Sequence, residues 1–176
     1  MVSLTIFLLV VGGVLLSHIT GTKLYMISKS KMDAAQQSQD VIGHILYEVW
    51  SATNVEIGSG TLGSFTALAA GTTQQGSALR VYSSTNMSQY TYYYFDTNSL
   101  TLRRATNSSS YEVYVDSITN RTVFTLEDYQ GTVLTNPQTS YVVALNLQFA
   151  AATNGNHQSF YDNYQLRTKV KRRRQL

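Results

Sequence analysis

Three groups of residues have types and spacings that could do chemistry. The run Gly58-Ser-Gly60-Thr-Leu-Gly63 fits the G-x-G-x-x-G pattern of a phosphate-cradling turn. Such a turn needs a strand before it, a helix after it and an acid about 20 residues further on. Here a helical pattern precedes it, and Ser83 and Ser84 stand where the acid would be. The run therefore reads as a flexible neck loop. Glu127-Asp128, with Asp116, could act as a general acid–base pair, but their strand and turn contexts read as solvated carboxylates. His18, His44 and His157 are isolated and lack metal-ligand spacing. His44 lies near an apolar stripe and reads as a helix residue whose contacts are already satisfied. There is no G-x-S-x-G, no P-loop and no cysteine. No catalytic, cofactor-binding or metal residue is assigned and no cofactor is expected, so an enzyme is the least favoured class.

Charge is concentrated at one end. The last sixteen residues, YDNYQLRTKVKRRRQL, hold Arg167, Lys169, Lys171, Arg172, Arg173 and Arg174 against Asp162, a net of +5. The whole chain is at +3, so the remainder carries −2. The basic end reads first as a solvated strand terminus. Lys169, Lys171, Arg172, Arg173 and Arg174 are its candidate contacts to an anion or partner. That partner is either an acidic patch on a neighbouring subunit or a polyanion such as nucleic acid. Tyr90, Tyr92, Tyr93, Tyr94 and Phe95 could stack on bases. Aromatics on a strand more often fill a core and pair across strands, which is the reading adopted.

These residues must be positioned by two zones. Residues 1–54 read as one long helix. The first part, MVSLTIFLLVVGGVLL, is apolar all round, and its candidate assembly contacts are Met1, Leu4, Thr5, Phe7, Leu8, Leu9, Val11 and Leu15. From residue 21 the pattern narrows to a stripe through Leu24, Ile27, Val41, Ile42, Ile45, Leu46 and Val49, at mostly helical spacing. At 1.5 Å per residue such a helix spans roughly 80 Å, against about 30–35 Å for a head of this size. It must protrude. Residues 55–176 read as a β-rich head. Loops with short strands are expected first, then strands over 78–83, 89–96, 99–105, 110–115, 121–128, 141–151 and 164–172. Tyr141, Val143, Leu145, Leu147 and Phe149 alternate with polar residues, and DTNS (96–99) marks a hairpin turn. No helical pattern separates the strands, so the sheet should be antiparallel. The expected class is α+β, a long protruding N-terminal helix packed on an antiparallel head.

The apolar start has three competing readings. A secretory signal needs a basic n-region and a small-residue cleavage site, and SHITGTK is a poor one. A plain membrane anchor is long enough, but Lys23, Lys29 and Lys31 beyond it would place the head in the cytoplasm. The third reading is an apolar helix left after a basic leader has been removed. In that respect the chain resembles the type IV pilin and pseudopilin family. The resemblance rests on MVSLTIFLLVVGGVLL, on DAAQQSQDVIGHILYEVWSATNVEI and on the hairpin YTYYYFDTNSLTLRRA. It covers the first 55 residues closely and the head in pattern only. Thr5 stands where the family usually has a glutamate, and no proline lies near Gly21-Thr22. The glutamate would pair with a neighbouring N-terminal amine, which Thr5 cannot do. Packing of Met1, Leu4 and Leu8 is expected to hold that end instead, with the Thr5 hydroxyl bonding back to the Met1 carbonyl.

The resemblance implies a structural subunit of an extracellular or periplasmic filament. It would rest in the inner membrane before assembly and then form a helical homo-oligomer. Two alternatives stay open: a minor tip pseudopilin of a secretion or DNA-uptake machine, and a membrane-anchored binding module whose helix is only a tether.

Overall fold

The computed structural model describes residues 2–84, 86–106, 110–136, 142–150 and 163–171. The chain is α+β, with a long N-terminal helix and a head of two antiparallel sheets, an arrangement consistent with a pilin-like fold. Helix α1 runs Val2–Ser51 without a break, about 75 Å at the standard rise. No proline interrupts it. It ends where the Ser51 hydroxyl donates to the carbonyls of Tyr47 and Glu48, and the Thr53 N–H then donates to Tyr82. That last bond carries the chain directly into the first sheet.

The first sheet has six strands in spatial order β2-β1-β4-β5-β6-β7. They are β1 (Asn54–Thr61), β2 (Ser64–Ala67), β4 (Ala78–Tyr82), β5 (Thr91–Asp96), β6 (Thr101–Thr106) and β7 (Tyr111–Val115). The second sheet is ordered β10-β9-β8-β3, from β10 (Asn163–Lys171), β9 (Val142–Ala150), β8 (Phe124–Glu127) and β3 (Gln75–Gly76). Every pairing is antiparallel. The core lies between the sheets and the C-terminal half of α1. Alternate residues meet there: Val55, Ile57, Leu79, Val81, Tyr93 and Phe95 from one sheet, Val143, Leu145, Leu147 and Phe149 from the other. The outer face of the first sheet carries a smaller cluster of Ala78, Tyr92, Tyr94 and Ala105, with Phe65 and Tyr90 against it. The tyrosine run thus serves packing on both faces, as its period of two dictates.

The glycine run is not a loop. Gly58 and Gly60 lie inside β1, and only Gly63, at φ +79°, turns the β1–β2 hairpin. A Cβ at Gly58 would stand 2.1 Å from the Thr66 carbonyl oxygen, and one at Gly76 would stand 2.2 Å from the Gly58 carbonyl. Glycine is needed because three strands approach closely here. Gly58→Ala should therefore destabilise the head by about 1–3 kcal/mol. Gly43→Ala, on an open helix face with nothing within 4 Å, should be neutral or stabilising by up to about 1 kcal/mol. Urea midpoints of the two variants check the contrast.

The β5–β6 hairpin turns at residues 97–100. The Asn98 N–H donates to the Asp96 carboxylate, and Arg103 approaches its other oxygen at 2.8 Å. The Asn98 bond holds the Asp96 pKa below the ordinary 3.8, with Ser99 and Arg103 adding to it and burial opposing. The folded value is the lower one, so ionised Asp96 stabilises the fold above about pH 3.8. That contribution is lost as pH falls through the folded value. Asp96→Asn should lower the urea midpoint near neutral pH and lose its effect as pH falls through the folded value.

Candidate functional site

The largest unusual feature is the apolar half of α1. Residues Ser3–Lys29 form a 27-residue stretch long and apolar enough to cross a membrane, and its most apolar window is 0% buried. At about 40 Å it exceeds a hydrocarbon core of about 30 Å. Leu4, Phe7, Leu8, Leu9 and Leu15 are all exposed, Leu9 at 73%, and Val11 is the least exposed of this set at 37%. Met1 lies outside the described residues, and so does the expected bond from Thr5 to its carbonyl. The same bond is made further along, where the hydroxyls of Thr20 and Thr22 donate to the carbonyls of Leu16 and His18, both at 2.9 Å. Hydroxyls inside this stretch thus satisfy themselves on their own helix.

The other half of α1 is clamped to the head. Val41, Ile45 and Val49, with Ala52 just past the helix end, are buried in the common core at spacings of four, four and three. Beside them Glu48 receives two donors: the Tyr93 hydroxyl at 2.8 Å and an Arg104 nitrogen at 2.7 Å. Burial, reinforced by the Glu48 charge, pushes the Tyr93 hydroxyl far above its ordinary value, so it stays a donor. Burial works against the Arg104 charge, but Glu48 more than offsets it and raises its pKa. The helix is therefore held by apolar contacts and by a polar triad spanning α1, β5 and β6.

The candidate basic contacts divide. Lys169 does not project free: its ammonium and the Arg167 guanidinium both close on Glu127, which is only 2% exposed. Glu127 is thus a buried, doubly paired carboxylate, not a solvated one. It ends β8, two strands from β10 in the second sheet. Asp128 is the solvent-facing member, accepting from the N–H groups of Gln130 and Thr132, and its pKa is lowered by those backbone bonds. Lys171 is exposed on β10, and Arg172, Arg173 and Arg174 lie outside the described residues. His44 is exposed on α1 and meets Tyr114 edge-on at 6.3 Å. His157 lies outside the described residues. Among the described residues no three His, Cys, Asp or Glu side chains gather as a metal site would require.

Sequence reasoning missed the Glu48–Tyr93–Arg104 triad and the Glu127 pairs. A single acid in an apolar strand (Phe124–Glu127) and one in the apolar stripe of α1 (Glu48) were the available signals. An acid at a core position must find a partner.

The fold and the exposed stretch define a class: a head on a single long helix whose first half the described residues leave uncovered. Comparison with family models, with curated proteins and with solved structures finds no match for this chain.

Proposed function

We propose that the chain is a structural subunit of a type IV pilus-like filament, extracellular or periplasmic, working by assembly and not by catalysis. One observation carries this reading. Some 27 residues of apolar helix project from the head with none of their most apolar window buried. Each fully buried Leu, Ile, Val or Phe is worth about 1.5–3 kcal/mol relative to water. The surface must therefore be covered, first by the inner membrane and then by other copies of itself. Both environments are apolar, so transfer between them need not cost much. The rigid clamp at Val41–Ala52 supports the reading, because it fixes the direction in which the helix leaves the head.

Thr5 favours a minor or tip position as the second reading, since it cannot supply the charge expected of a bulk subunit. Antibody against the head, applied to filaments sheared from cells, tests both. Label along the whole filament supports a bulk subunit, and label at the ends alone supports a tip subunit. Membrane fractions rich in the protein, with no filaments, would overturn both and leave a tethered binding module.

A further inference from the structure

A shallow groove of about 460 Å³ runs between α1 and β7, the edge strand of the first sheet among the described residues. Asp40 on α1 and Glu112 on β7 stand exposed along it, with Val113 and Tyr114 forming an apolar wall. Val113 is 51% exposed, high for a β-branched residue on a strand. Arg104 also lines the groove, but its charge is answered by Glu48. Glu112 also stands directly opposite Arg104 in the β6–β7 ladder, but Asp40, Glu48 and Glu112 against Arg104 leave a local balance of −2. The opposite charge in this chain is gathered at the end of β10 and beyond, in Lys171, Arg172, Arg173 and Arg174. Arg167 and Lys169 are already engaged by Glu127, and four further cations follow within the next five residues of the sequence.

We propose that this groove receives the basic C-terminal segment, Lys171–Leu176, of a second copy of the chain. The proposal rests on the filament reading and says how adjacent heads meet. Two different patches are joined, a groove on one sheet edge and a tail from the other sheet. Such a head-to-tail contact can repeat as an open helix wherever its rotation does not close a ring, which a filament needs. The apolar wall accommodates the arginine stems while Asp40 and Glu112 meet their charged ends. Because the charges lie at the rim, the contact is sensitive to salt.

The chain has no cysteine, so introduced thiols report cleanly. Val113→Cys and Gln175→Cys, placed on separate full-length chains and co-expressed, should give a disulfide-linked heterodimer in membranes under mild oxidation. Either variant alone should not. The double variant should give a ladder of multimers. Asp40→Lys with Glu112→Lys should reduce the heterodimer several-fold, and added salt should do the same. An intramolecular disulfide in the double variant would overturn the proposal by placing the tail on its own head. No cross-link at all would also overturn it, and a DNA mobility shift dependent on Arg172–Arg174 in that case would assign the tail to nucleic acid. The readout does not require filaments. Cross-linking without filaments would sink the filament reading alone, whereas filaments without cross-linking would sink this one alone.

Discussion

Leu9→Arg should abolish filaments while leaving the head folded. Leu9 sits in the middle of the exposed apolar stretch and is the most exposed of its leucines, at 73%. A guanidinium at the centre of a membrane helix costs about 2.5–3.5 kcal/mol even when it can reach the interface. Inside a dry bundle of helices it has no interface to reach, and an uncompensated charge costs several kcal/mol more. In a filament of identical subunits that loss would be repeated in each. The head should be indifferent, because Leu9 lies more than thirty residues before Val41, where the core begins. Filament counts and the urea midpoint of the head, measured on the same variant, separate the two effects. Abundant filaments from Leu9→Arg would show that this stretch does not form the packed centre.

Val49→Asp should do the reverse and unfold the head. Val49 is fully buried between the helix and both sheets. The substitution removes an apolar contact worth about 1.5–3 kcal/mol. It also places a carboxylate next in sequence to Glu48, whose charge is already committed to Arg104. Leaving a buried charge unpaired costs roughly 3–5 kcal/mol. Together these approach the whole stability of a typical domain, about 5–15 kcal/mol. The variant should show little cooperative unfolding and should be degraded in cells. Glu48→Gln, which keeps the shape and weakens the triad, should fall between it and the parent. A normal urea transition for Val49→Asp would show that the second half of α1 is not clamped as described.

How much of this was legible depended on period and on side-chain size. The helix and seven of the strands follow from patterns of 3.6 and 2, and β9 is the plainest case, with Val143, Leu145, Leu147 and Phe149 all inward. Short strands were expected between residues 55 and 77, but their bounds were not legible, because after Val55 and Ile57 the residues Gly58, Ser59, Gly60 and Thr61 carry no apolar alternation. Their strand character comes from close approach to neighbouring backbone, which no local pattern records. Glu127 read as solvated because its two cations lie forty and forty-two residues away on β10, brought near only by sheet order. The groove between α1 and β7 was invisible for the same reason: Asp40 and Glu112 meet only through the fold. The division of the β head into two sheets is likewise a tertiary fact, since pairing partners are not encoded in alternation alone.

The central claim is that the stretch Ser3–Lys29 is covered by copies of itself. Imaging the purified native assembly by electron cryomicroscopy to a resolution that shows helices tests it most directly. The account predicts a core of parallel α1 segments, with Leu9 and its neighbours facing other α1 helices and the heads arrayed outside. A particle holding one copy of the chain, with Ser3–Lys29 surrounded by lipid or detergent, would contradict it.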